Sequence, residues 1–127
     1  MRVFPEHVPA APVRRDGRIV NAMSVDVEDY YQVSAFAGTV DRAAWADLPS
    51  RVEDNTRRCL DLFERNGARA TFFTLGIVAE RYPALMREIV RRGHELASHG
   101  WAHHRVTDQD PAAFLADITR TKKALED

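Results

Sequence analysis

Three times along this chain a short apolar run is followed by a longer stretch of helical periodicity, and this alternation limits the fold more than any single residue does. From Arg18 to Asp26 the residues Ile19, Val20, Ala22, Met23 and Val25 are apolar on both alternating faces, the pattern of a parallel strand covered on each side. The run ends in the acids Asp26, Glu28 and Asp29 and passes into a loop rich in Gly, Ala and aromatic residues. Ser50 and Glu53 have the spacing of a capping box, which opens a helix with Val52, Thr56, Leu60 and Phe63 on one face and Gly67 at its end. Ala70 to Leu75 predicts a second buried strand, with Phe72 and Phe73 in the core. Tyr82 to Arg92 predicts a helix that turns Leu85, Met86, Ile89 and Val90 inward and stops at Gly93. Glu95 to Ser98 predicts a third strand. Asp110 is placed to cap a last helix with Pro111 at its first position and an apolar stripe of Phe114, Ile118 and Leu125.

Strand and helix alternating through three units argue for a parallel sheet with right-handed crossovers, as in open α/β sheets and (β/α) barrels. Functional residues in such folds gather at the C-terminal ends of the strands. The acids follow the first strand and His99 follows the third, so groups distant in sequence converge on one rim.

Composition narrows the partners. The 127 residues are 45% hydrophobic and 29% charged, as in one globular domain. Eighteen basic residues against nineteen acidic ones leave a net charge of -1, which supplies no attraction to nucleic acid or anionic lipid and is compatible with a neutral sugar. The single cysteine, Cys59, reads as a buried reduced thiol in a helix. Residues 1–17, with Pro5, Pro9 and Pro12 among scattered charges, read as a flexible arm without the apolar run of a signal peptide. With no stretch of transmembrane length, the expected location is the cytoplasm.

Four of the five histidines lie between positions 94 and 104. His99 and His103 are four apart, which puts two imidazoles on one side of a helical turn or compact loop, within reach of one cation. Two imidazoles and a carboxylate form the ligand set of many catalytic metal sites and leave a position open for water or substrate. Asp26, Glu28 or Asp29 can supply the carboxylate, and an acid beside the cation but not bound to it can serve as general base. The plainer alternative is a loop of solvated strand-ending acids and a polar His-rich connection. His94 precedes its strand, at the end away from the rim, and reads as structural, while His104 should point elsewhere. Tyr30, Tyr31 and Trp101 can stack on sugar rings or pack in the interior. Arg87, Arg91 and Arg92 read as the solvated face and last turn of a helix.

At these residues the sequence, from about Arg18 onward, resembles the polysaccharide deacetylases of carbohydrate esterase family four, the NodB-homology domain. Ser24-Val25-Asp26-Val27-Glu28-Asp29 is similar to that family's Thr-Phe-Asp-Asp-Gly motif, and His99-Gly100-Trp101-Ala102-His103 to its His-(Ser/Thr)-x-x-His motif. Ala70-Thr71-Phe72-Phe73 and Gly93-His94-Glu95-Leu96 resemble its second and third strands. The form Ser-Val-Asp-Val-Glu-Asp-Tyr-Tyr looks closest to deacetylases of bacterial exopolysaccharide and exosortase gene clusters.

The resemblance implies an incomplete (β/α) barrel made of its first three βα units over residues 18–127, and hydrolysis of N-acetyl groups on a carbohydrate. It implies Asp26 as general base, and His99 and His103 as ligands of a divalent metal, normally zinc. Val27 stands where the family has its metal-binding Asp, so the acidic ligand falls to Glu28 or, through a bulge, to Asp29. Tyr30 and Trp101 are the candidate sugar contacts. The family's later motifs, with the histidine that assists the leaving amine, do not occur before Asp127, so the expectation is a partial domain whose sheet edges need a missing half or a partner chain. Two other readings remain: a non-catalytic fragment or interaction module that keeps the metal site, and a hydrolase of another small amide or ureide.

Overall fold

A computed structural model of the chain describes residues 14–126. It begins with an antiparallel hairpin of β1 (Arg14–Arg15) and β2 (Arg18–Ile19), whose turn residues Asp16 and Gly17 both have positive φ, 50° and 77°. This shortens the first expected strand, because the turn folds Arg18–Ile19 back onto Arg14–Arg15 and leaves Ile19, Val20 and Met23 exposed. Residues 1–13, most of the stretch read as an arm, lie outside the described residues.

The central sheet is parallel, in the order β3 (Ser24–Val27), β4 (Thr71–Thr74), β5 (Glu95–Ser98). Val27 stands level with Thr74 and Thr74 with Ser98, so all three strands finish at one rim. Period-two alternation then separates two faces. Val25, Val27, Phe72 and Leu96 pack into the core, with Val27 and Phe72 fully buried. Asp26, Phe73 and Ala97, which share a register, lie on the other face and are half-buried or exposed. Cover on both faces is therefore a correction, and Phe73 leaves the expected core. Among the described residues β3 and β5 each have one neighbour strand and one open edge.

Four helices follow: α1 (Val52–Arg65), α2 (Gly76–Arg81), α3 (Pro83–Arg91) and α4 (Pro111–Glu126). In α1 the i, i+4 series Val52, Thr56 and Leu60 is buried, while Cys59 is only half-buried. The second expected helix, Tyr82 to Arg92, is α3, and a further short helix that the sequence reading did not include, α2, precedes it; Tyr82 at φ -129° and ψ 59° separates the two before Pro83, whose ring disfavours a helical predecessor. Leu85, Met86 and Ile89 face the core as the spacing predicts, but Val90 is exposed. In α4 Asp110 accepts from the Ala113 amide at 2.8 Å, a regular N-cap. Thr121 is its fully buried residue and Leu125 packs on the core, whereas Phe114 and Ile118 line an open groove of about 1040 Å³ beside Leu96 and the free side of β5. Arg92 is more than a solvated charge: it joins Asp61 and Glu64 of α1 to Glu88 of α3 at 2.7 to 3.1 Å. No described helix is long and apolar enough to cross a membrane.

His94 is buried just before β5, between Phe63 and Phe72, and its Nδ1 accepts from the Ala70 amide at 3.2 Å. Burial, then the charges of Arg69 and Arg92, hold its imidazole below the ordinary pKa. The folded chain thus keeps the neutral form while the unfolded chain takes up a proton below about pH 6.5, so stability is expected to decline as the pH falls through that value. Urea midpoints at about pH 7.5 and about pH 5.5 should differ less in His94→Asn, whose amide oxygen can replace Nδ1 as acceptor. An equal pH dependence in wild type and variant would remove His94 as the cause.

Candidate metal centre

One step beyond the paired rim residues Val27, Thr74 and Ser98 come Glu28, Leu75 and His99. The His99 amide donates to the Thr74 carbonyl at 2.9 Å, extending the ladder by that step and fixing His99 beside Glu28. Alternation places Glu28 on the same face as Asp26, two residues earlier. The chain after His99 reverses in a compact loop rather than a helical turn, with φ of 75° at Gly100 and 57° at His103, and this returns His103 to the first histidine. The two imidazole rings stand 4.9 Å apart at 68°.

One ligand atom from each of Glu28, His99 and His103 lies within 4.8 Å of the others. Glu28 Oε2 and His103 Nε2 are 3.4 Å apart without hydrogen-bond geometry, and both Glu28 Oε2 and His99 Nε2 are buried atoms that lack a hydrogen-bond partner. Burial pushes the Glu28 carboxyl above its ordinary pKa, opposed by His103 and His99 and reinforced by Asp26. Buried polar atoms seldom go unpaired, and three convergent donors of this type suit a small divalent cation. Asp26 stands at the margin, more than half exposed, its Oδ2 3.9 Å from His99 Nε2.

The loop between the histidines is docked on α2. The amides of Gly76 and Ile77 donate to the carbonyls of Gly100 and Trp101 at 3.0 and 3.1 Å. Asp117 of α4 accepts the Trp101 amide with both oxygens, at 3.0 and 3.1 Å. The Trp101 indole lies against Gly76, where a Cβ would collide with it, and the Arg120 guanidinium sits 3.4 Å from the ring centroid. Of the two alternatives for Trp101, this placement favours packing over sugar contact. Trp101 is half-buried and Tyr31 is buried, while Tyr30 is exposed, with the Arg51 guanidinium 5.0 Å from its ring.

Asp29 is turned away from the histidines. It is 2% exposed, and its carboxylate accepts from Ser50 Oγ at 2.6 Å, from the Arg51 amide at 3.0 and 3.1 Å, and from the Val52 amide at 3.4 Å. These are donors at the start of α1, so Asp29 caps that helix from more than twenty residues upstream. The expected Ser50–Glu53 capping box is not formed: Ser50 donates to Asp29, and Glu53 pairs with Arg57 at 2.8 Å. As a sequence candidate for metal ligand, Asp29 is thus corrected by position, because the strand alternation that directs Glu28 to the rim sends its neighbour toward the helix. His104 is exposed and outside the cluster.

The sequence comparisons bear on the same loop. Residues 36–127 match the family model described as polysaccharide deacetylase, a stretch that includes His99 and His103 but begins after Asp26 and Glu28. The chain belongs to the polysaccharide deacetylase family. It is 35% identical over 68 residues to the peptidoglycan-N-acetylglucosamine deacetylase PgdA of Listeria monocytogenes, covering 54% of this chain and 15% of PgdA. A family 4 carbohydrate esterase from Streptomyces lividans, solved with acetate, superposes with a TM-score of 0.56 at 33% identity over 62% of this chain and 40% of that one. The peptidoglycan deacetylase PdaC of Bacillus subtilis gives a TM-score of 0.61 at 22% identity over 83% of this chain and 41% of that one, which speaks for the fold. The chain therefore spans well under half the length of these relatives, and its α/β architecture corresponds to part of their barrel-like domain.

Proposed function

We propose that the chain contributes the metal-binding rim of a hydrolase that removes N-acetyl groups from a carbohydrate. The observation that carries this reading is the pair of buried, unpartnered atoms Glu28 Oε2 and His99 Nε2 facing His103. Glu28, His99 and His103 would hold a divalent cation, zinc by preference for two nitrogens and one oxygen. When bound, such a cation polarises an amide carbonyl and lowers the pKa of water. Asp26, exposed and on the same face, would accept the proton of a water attacking the substrate amide. Tyr30 is free to meet a sugar ring, as its exposure allows. The amide-hydrolase class is supported by relatives that deacetylate N-acetylglucosamine in peptidoglycan. An N-acetylated bacterial exopolysaccharide is the substrate that the Ser24-to-Tyr31 motif suggests.

The test is zinc calorimetry on the chain, paired with acetate release from N-acetylglucosamine oligomers. Wild type should bind one zinc, His99→Ala none, and Asp26→Asn one, with acetate release by Asp26→Asn reduced at least about 100-fold. A folded wild-type chain that binds no zinc would sink the reading. Zinc binding without turnover would locate the missing step in the family's later motifs, which this sequence does not contain, and would not by itself separate the hydrolase rim from an interaction module.

A further inference from the structure

His103 holds its backbone at φ 57°, a left-handed conformation uncommon for a residue with a Cβ. A change of that backbone conformation would swing the imidazole away from Glu28. Two residues of the loop between β3 and α1 contact this turn. Arg42 donates from Nη1 to the Ala102 carbonyl and from Nη2 to the His103 carbonyl at 3.2 Å, a two-pronged grip on consecutive carbonyls that a planar guanidinium suits and an ammonium does not. Ser34 Oγ lies 3.2 Å from His103 Nδ1, the nitrogen remote from Glu28. Both residues sit in short 3-10 turns, Ser34–Phe36 and Arg42–Ala44. The Asp41 side chain braces the second by accepting the Ala43 amide at 3.0 Å, and the Trp45 ring lies 4.8 Å from the Arg42 guanidinium carbon.

We infer that Ser34 and Arg42 are positioning residues for the metal centre: Arg42 locks the left-handed backbone of His103, and Ser34 orients its ring so that Nε2 meets the cation. This rests on the reading of Glu28, His99 and His103 as a metal site. For Nε2 to offer a lone pair, Nδ1 must carry the proton, and the Ser34 hydroxyl oxygen is the acceptor that stabilises this tautomer. The sign of the Arg42 effect separates positioning from simple electrostatics. Removing a positive charge near a cation site should tighten binding if charge alone acts, whereas loss of the grip should weaken it.

Zinc affinity, measured by competition with a chelator on the full 127-residue chain, tests this directly. Arg42→Ala is expected to weaken binding by about 10- to 100-fold and Ser34→Ala by about 10-fold, with Ser34→Thr near wild type and Arg42→Lys intermediate. In a His103→Ala background Arg42→Ala should have no further effect, since Arg42 acts through that histidine. Cobalt absorption of the Arg42→Ala protein should lose the band intensity of a low-coordinate site, which a general loss of stability in a still folded chain would not produce. Arg42→Ala and Ser34→Ala chains that bind zinc as tightly as wild type, or more tightly, overturn the inference while the metal reading stands. A wild-type chain that binds no zinc overturns both.

Discussion

Glu28→Gln is expected to abolish zinc binding and leave the fold intact, while Asp29→Ala, one residue on, should do the reverse. Glu28 directs a buried, unpartnered oxygen at two imidazoles, so its loss removes the only carboxylate in the cluster. Affinity should fall by more than the roughly 10- to 100-fold typical of a residue that only supports a ligand. The metal-free chain should be no less stable, and burial, which already disfavours the Glu28 charge, gives the neutral amide a small advantage. Asp29 instead satisfies the hydroxyl of Ser50 and the amides of Arg51 and Val52 from a buried position. Replacing it with Ala leaves those donors without a partner and removes the cap of α1, a loss of about 2–4 kcal/mol readable as a shift in urea midpoint. The folded fraction of Asp29→Ala should still bind one zinc. If Asp29→Ala folded stably without binding zinc while Glu28→Gln bound normally, the roles assigned to the two acids would be exchanged.

Gly76→Ala carries the second large effect. A methyl group at this position would overlap the six-membered ring of Trp101, and the neighbouring backbone cannot retreat without breaking the bonds from Gly76 and Ile77 to Gly100 and Trp101. The overlap should cost about 1–3 kcal/mol, the usual range for overpacking, and should displace the loop that spaces His99 from His103. Zinc affinity is expected to drop about 100-fold, and Trp101 fluorescence to move toward that of an exposed indole. Trp101→Ala alone also loosens the loop by emptying the space between Gly76 and Arg120. In the double variant the new methyl group occupies part of that space, so the two stability losses should sum to more than the loss measured in the double. Strict additivity, or a Gly76→Ala chain that binds zinc like wild type, would mean that α2 does not set the loop.

The sheet strands and the histidine pair were legible because both are short-range patterns. Glu95–Ser98 matches its expected bounds, Thr71–Thr74 lies within its expected run, and the rim follows from strands that finish level. Elements misread from sequence failed for particular reasons. The stretch Ile19 to Met23 has strand-like composition, but a tight turn at Asp16 and Gly17 takes its first residues into a hairpin. Phe114 and Ile118 have core-like spacing, yet among the described residues nothing covers their groove. Ser34 and Arg42 carried no sequence signal at all, since a serine and an arginine in a long loop are ordinary until His103 is seen between them.

By itself the sequence determined the parallel βα order, the rim on which Asp26, Glu28 and His99 meet, and the four-residue spacing of the two histidines, because period and spacing are properties of neighbouring residues. Only the tertiary structure decided that Glu28 faces the histidines while Asp29 caps α1, and that Arg42 holds His103 in its left-handed turn. A buried carboxylate goes where donors await it. For Asp29 those donors lie on α1, more than twenty residues away, a pairing set by the packing of the helix on the sheet and by no local pattern.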